Sequence, residues 1–330
     1  MRYRLLGQTG LRVSELFLGA MSFGEHGDGG TPPAECRRII DIYADAGGNV
    51  IDTAINYRGG LSEAVIGELI ESRRDRFVIG TKYTISRNGN DPNAAGNHRK
   101  NLTLSLETSL RQLRTDYIDL YWVHLWDRHT PVEETMRALD DAIRQGKILY
   151  VGISDTPAWV ISHANTLAGW HNWTPFAALQ APYNLLNRDI ERELLPMAET
   201  LGITAATWSP LAHGALSATS NDDDVSESHD SRERNVIQTV QAVAKEVNAT
   251  PAQVAIAWIR ARSNAVHPIL GSTTAEQMQE NLGALDVVLP DDAIERLAAA
   301  ADFTLGFPRD FIERMPPWVF GEVNNRLDGR

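Results

Sequence analysis

The chain has one cysteine, Cys36, in 330 residues. That excludes an internal disulfide and a cysteine-built zinc site, and it suits a reducing compartment. No apolar run approaches the ~18 residues that a membrane helix needs, and the opening MRYRLLGQTGLRVSE has no signal-peptide core. A soluble, cytoplasmic protein is the expectation. Positive charge is scarce: 31 Lys and Arg against 43 Asp and Glu leave a net charge of −12. Such a surface repels nucleic-acid phosphates and anionic lipid, so neither is an expected partner. No G-x-G-x-x-G follows an apolar run and no P-loop occurs, which removes two common phosphate-cradling signatures. No metal site is expected. Disorder is excluded too, because 43% of residues are hydrophobic, eight of them Trp, and only 22% are charged.

What is present is alternation. Short apolar, β-rich runs at 16–19, 49–54, 77–83, 118–124, 148–154, 178–183, 203–209 and 267–272 predict strands. Stretches of helical periodicity lie between them, at 35–46, 62–73, 102–114, 132–145, 158–167, 189–201, 251–262 and 275–285. The runs are nearly continuous in apolar character, as strands buried on both faces are. Alternating strand and helix implies right-handed crossovers and a parallel sheet. Eight units close into an α/β (β/α)8 TIM barrel, with an open doubly wound sheet as the alternative on pattern alone. Residues 2–15 predict an N-terminal β-hairpin turning at Gly7–Gly10, placed to cap the barrel floor. An extra helix is expected at 232–247 after a polar loop at 216–231, and another at 291–301. An irregular tail carrying Pro308, Pro316, Pro317 and Trp318 follows. The chain thus reads as one domain over 1–330, with a hairpin cap at 1–15 and a C-terminal helix and substrate-loop tail at 286–330.

In such a barrel, chemistry is carried by the C-terminal ends of the strands and the loops after them. The polar residues there are Asp52, Tyr57, Lys82, His124, Ser154, Asp155, Gln180, Trp208 and Ser209. A lysine inside FVIGTKY and an aspartate inside NVIDTA are costly to bury unless they meet. Paired at the barrel mouth, they would set an ammonium beside the Tyr57 hydroxyl. A cation there favours phenolate, so the phenol can give its proton to a carbonyl oxygen gaining negative charge. His124 can hydrogen-bond that same oxygen. Each residue also has a bland reading, as a strand-end cap, a loop aromatic, a core histidine or a structural ion pair. Three consecutive βα units carrying the pattern together favour the chemical one.

The motifs N-V-I-D-T-A-x-x-Y, G-T-K-Y, D-L-Y-W-V-H, Y-V-G-I-S-D, Q-A-P-Y-N, W-S-P-L-A-x-G and I-L-G-S-T-T-A-E-Q-M-Q-E-N closely resemble the aldo-keto reductases. They occur in that family's order from the hairpin to about Ala284, and look most like its aryl-alcohol dehydrogenase and potassium-channel β-subunit branch. The resemblance implies a catalytic tetrad of Asp52, Tyr57, Lys82 and His124, with Tyr57 the general acid. It implies reversible reduction of aldehydes or ketones, in a monomer or homo-oligomer acting on a small carbonyl or alcohol. It further implies a nicotinamide cofactor at Met21, Asp52, Ser154, Asp155, Gln180, Trp208, Ser209, Pro210, Leu211, Ala212, Gly214, Gly271, Ser272, Thr273, Gln277, Glu280 and Asn281. The substrate would meet Met21, Phe23, Tyr57, His124, Trp126 and Trp318. Two features depart from the family. Ala215-Leu216-Ser217 stands where Gly-Lys-Tyr is usual, and 271–281 offers no Lys or Arg for a 2′-phosphate. NADP(H) is expected ahead of NAD(H) if Arg232 or Arg234 substitutes, with Asp222–Asp224 opposing. Two alternatives stay open: a nicotinamide-binding regulatory subunit with residual reductase activity, and a Schiff-base enzyme with Lys82 as nucleophile. The second needs a neutral amine beside Asp52.

Overall fold

The computed structural model describes residues 1–25, 29–218 and 230–327. It opens with an antiparallel hairpin of β1 (Tyr3–Leu5) and β2 (Arg12–Ser14), with Tyr3 opposite Ser14. Eight parallel strands then close into a barrel: β3 (Phe17–Gly19), β4 (Val50–Asp52), β5 (Val78–Tyr83), β6 (Ile118–Val123), β7 (Ile148–Ser154), β8 (Ala178–Pro182), β9 (Thr204–Trp208) and β10 (Val266–Gly271). Strand β10 pairs with β3 through Ile269 opposite Phe17, which seals the ring. The fold is a (β/α)8 TIM barrel with an N-terminal hairpin, and every expected strand lies within one or two residues of its place. The doubly wound alternative is thereby excluded.

Strand side chains alternate between lumen and outer face, and the core divides accordingly. Phe17, Val50, Val78, Leu120, Trp122, Ala178, Ala206 and Ile269 fill the lumen, together with Leu6 and Val13 of the hairpin. The hairpin therefore plugs one end of the barrel, as its sequence suggested. Leu18, Ile51, Ile79, Tyr121, Val123 and Ile153 face outward, against the helices. The same two-residue step carries Val50 to Asp52, Trp122 to His124 and Ala178 to Gln180, and taken twice it carries Val78 to Lys82. Polar groups thus follow an apolar floor up the lumen to the other mouth. Trp122 needs two glycines as neighbours: a Cβ on Gly152 would lie 2.3 Å from its ring, and one on Gly80 2.9 Å from Nε1.

Three expectations are corrected. The helix foreseen at 189–201 is broken into a 3-10 turn, Asp189–Glu191, and a helix, Leu194–Leu201. Pro196 explains the break, because proline is accepted only in a helix's first turn. The helix foreseen at 62–73 runs over Leu61–Ile70 and tightens into a 3-10 segment, Glu71–Arg76, where Arg74 reaches out to the carbonyls of Phe77 and Tyr117. The tail is not wholly irregular; it forms short helices at Arg309–Arg314 and Pro316–Phe320. The extra helix after β9 spans Ser231–Glu246, with Asp230 as its N-cap. Among the described residues no helix is long and apolar enough to cross a membrane.

Candidate active site

Asp52 is the last residue of β4 and Lys82 the penultimate residue of β5, both on the lumen side and both buried. Lys82 uses all three of its N–H donors. Nζ donates to Asp52 Oδ2 in a short ion pair, to the Thr53 carbonyl at 2.8 Å, and to Tyr57 Oη at 3.3 Å. Asp52 is held from its other side, where Gln180 Nε2 donates to Oδ1 at 3.1 Å. Burial opposes charge on Lys82, but the nearby Asp52 carboxylate and Tyr57 oxygen outweigh it and raise its pKa. The site therefore holds an ammonium. That works against the Schiff-base alternative, which needs the neutral amine.

His124 follows β6 directly and faces Tyr57 edge-on, with ring centroids 5.8 Å apart and planes at 79°. Burial, and then the charge on Lys82, push its pKa down to about 3. The imidazole is neutral at working pH and has one N–H to give. Its Nδ1 is buried without a partner among the described residues. The residue is fixed instead through its backbone, whose N–H donates to Thr84 Oγ1 at 3.2 Å. Asp52, Tyr57, Lys82 and His124 are thus brought together at one mouth.

The next strand ends extend this cluster. Ser154 ends β7 and is buried. Asp155, in a left-handed conformation (φ 44°), accepts from Trp208 Nε1 at 3.2 Å. The loop after Trp208 is tightly coiled: Ser209, Ala212, His213 and Gly214 all have positive φ, and Leu211 packs against the outer core. Pro210 is buried. Across the barrel, Gly271 ends β10, and the helix Ala275–Leu282 follows. Thr273 and Gln277 bond each other, Asn281 Nδ2 reaches the Gly271 carbonyl, and Glu280 is exposed.

The other residues expected to meet substrate or cofactor are placed as follows. Phe23 is wholly buried in the outer core, because the loop after β3 is pinched shut by bonds between Thr31 and both Ser22 and Gly24. It offers no surface to a substrate. Met21 is 64% exposed on the same loop. Trp318 is 87% exposed on the C-terminal segment. Arg232 is committed elsewhere, donating to the carbonyls of Ala301 and Leu186 at 2.6 and 2.7 Å. Its Nε and Nη2 are thus engaged by the protein itself. The Asp222–Asp224 run lies outside the described residues. Sequence reasoning missed Trp159, which meets Trp126 edge-on at 5.7 Å; only its place at the start of the helix after β7 hinted at this.

A protonated lysine, a phenol and a neutral imidazole at the mouth of a (β/α)8 barrel form a cluster chemically able to transfer a proton to a polar oxygen. The sequence profile of the aldo/keto reductase family matches residues 15–302. The chain belongs to the aldo/keto reductase family, and it is an oxidoreductase. It is 37% identical to a norsolorinic acid reductase of Aspergillus flavus, over 95% of this chain and 84% of that protein. It is 37% identical to an aryl-alcohol dehydrogenase of Pestalotiopsis microspora, over 94% and 85%. It is 36% identical to the aryl-alcohol dehydrogenase (NADP+) of Phanerodontia chrysosporium, over 93% and 88%. Aldo/keto reductases use nicotinamide cofactors, and the residues here fit one. Among the described residues Ser272 Oγ, buried beside β10, has no hydrogen-bond partner, so it is a group that a ligand could bond.

Proposed function

We propose that this enzyme reduces aryl aldehydes or ketones to alcohols, reversibly, with NADP(H). The observation that carries the reading is the buried Lys82 ammonium, pinned by Asp52 and 3.3 Å from Tyr57 Oη. When bound, the nicotinamide supplies the hydride. Tyr57 gives its proton to the carbonyl oxygen as that oxygen gains charge, and Lys82 stabilises the phenolate left behind. His124 donates its one N–H to the same oxygen and orients the carbonyl. In the oxidative direction Tyr57 takes the proton back from the alcohol.

Ser154 and Gln180 would hold the carboxamide of the cofactor and Trp208 its ring. The coiled loop 209–214 would take the pyrophosphate, and Ser272, Thr273, Gln277, Glu280 and Asn281 the adenosine end. NADP(H) is preferred on the name of the Phanerodontia relative, together with the Ser272 hydroxyl. An aromatic substrate suits the Trp126–Trp159 pair, which offers ring edges and faces at the loop that follows β6 and His124.

Tyr57→Phe tests the reading. Turnover of benzaldehyde should fall by about 10²–10⁴-fold, the usual contribution of a general acid. NADPH binding, followed by tryptophan quenching, should stay unchanged, because the hydroxyl serves only the substrate oxygen. Turnover above a tenth of wild type would remove Tyr57 from this role.

A further inference from the structure

Among the described residues His124 has no side-chain partner on Nδ1 to set its ring. Catalytic imidazoles are commonly aimed by a hydrogen bond on the nitrogen that does not react, and here that handle is absent. The aim must come through the backbone, and two residues of the neighbouring loop hold it. Thr84, the first residue after β5, accepts from His124 N–H with Oγ1 at 3.2 Å. The same hydroxyl gives its single proton to Asn97 Oδ1 at 2.7 Å. Asn97 Nδ2 then donates to the Leu125 carbonyl at 3.0 Å. The backbone is therefore gripped by the N–H of His124 and the C=O of Leu125, on the two sides of the His124–Leu125 peptide. Asn97 is itself anchored, since its N–H donates to Asp127 Oδ2 at 3.1 Å.

Thr84 holds this position at a φ of 91°. For a β-branched residue that is an outlier, and such a conformation persists only where the surroundings over-determine it. The Thr84 carbonyl accepts from Gly96 N–H at 2.8 Å, and the side chain is buried. Glycine would fit the backbone without strain, yet it would have no hydroxyl to bridge His124 and Asn97. Thr84 also lies two residues beyond Lys82, so one short segment carries the ammonium and the clamp on the imidazole.

We infer that Thr84 is a positioning residue for carbonyl reduction: its strained backbone and bridging hydroxyl, with Asn97, fix His124 against Tyr57. The inference rests on the role proposed above for His124. If it holds, losing the hydroxyl misplaces the imidazole and slows turnover, while cofactor binding is left alone.

The test is a double-mutant cycle on benzaldehyde reduction with NADPH. Thr84→Val keeps the shape and removes the hydroxyl, and kcat should fall by about 10- to 100-fold, as for a modest misplacement of a catalytic group. Thr84→Ser should restore it to within about threefold. In a His124→Ala background, Thr84→Val should cost less than about twofold more, because the residue it acts through is gone. Thr84→Gly takes φ 91° without strain and carries the same comparison if the valine variant does not fold. NADPH quenching should match wild type in every variant. An equal loss in both backgrounds would make Thr84 merely structural and overturn the inference, as would an unaltered kcat in Thr84→Val or Thr84→Gly. Full turnover in His124→Ala would instead overturn the role of His124, and the inference with it.

Discussion

At the scale of single residues, the site is built by giving each charged or polar atom one task. Lys82 spends three donors on three acceptors, and Gln180 occupies the Asp52 oxygen that Lys82 does not bond. Removing one partner of such a buried pair leaves the other uncompensated, which is far costlier than the pair's net worth. Arg232 is the contrasting case. Its guanidinium ties the start of one helix to the carbonyls of Leu186 and Ala301. Arg232→Ala should lower stability by about 1–2 kcal/mol, two partly exposed charged hydrogen bonds being lost. It should leave the ratio of NADPH to NADH affinity unchanged. Thermal melts and parallel fluorescence titrations check both, and a collapse of that ratio would return Arg232 to the cofactor. Asp52 and Lys82 were legible in the sequence because charges inside apolar strands must find each other. The burial of Phe23 and the two carbonyl bonds of Arg232 were not legible, because sequence places a loop or helix residue without saying which way its side chain turns.

At the scale of elements, the strands were legible because two-sided burial leaves a continuous apolar run. The break before Leu194–Leu201 was legible as well, had Pro196 been weighed against the helical periodicity around it. The left-handed backbone at Thr84 was not, because it follows from bonds between two loops rather than from local propensity. Nor was Glu63. This residue lies on the helix Leu61–Ile70, wholly buried between helix and barrel. One oxygen accepts from Thr81 Oγ1 at 2.5 Å and the other is buried without a partner among the described residues. Burial pushes its pKa up from 4.5 to about 7. Between those values the folded state binds a proton that the unfolded state has lost, so stability falls as pH rises through the window and levels off above it. The loss is on the order of 3 kcal/mol. Urea unfolding at pH 5 and pH 8 should show it, and Glu63→Gln should flatten the difference. A variant whose pH dependence matches wild type would show that Glu63 is already ionised in the folded protein.

At the scale of the whole molecule, the barrel is plugged at its floor and held shut at its seam by adjoining residues of the N-terminal segment. The hairpin sends Leu6 and Val13 into the lumen. Directly after it Glu15, 3% exposed, accepts from the Arg2 N–H and from Arg260 Nη2, both at 2.7 Å. Arg260 lies on the helix Pro251–Arg262, which leads into β10, and also donates to the Ala284 carbonyl. The pair thus joins the segment before β3 to the segment before β10, the two strands whose pairing closes the ring. Burial raises the carboxyl pKa of Glu15, but the bonds from Arg260 and Arg2 outweigh it and hold it below its ordinary value. Its contribution is fully present above the unfolded pKa and is lost as pH falls through the lowered folded one, the opposite sense to Glu63. Glu15→Ala leaves Arg260 without its carboxylate at a buried seam, and should destabilise the fold by about 2–4 kcal/mol. Replacing both partners, Glu15→Gln with Arg260→Met, should cost less than the single change, since no unpaired charge remains. Because the seam closes the whole barrel, the loss should appear as a lower urea midpoint with an unchanged slope. A reduced slope, or a separate early transition confined to the hairpin, would mean that the pair fastens only the plug and not the ring.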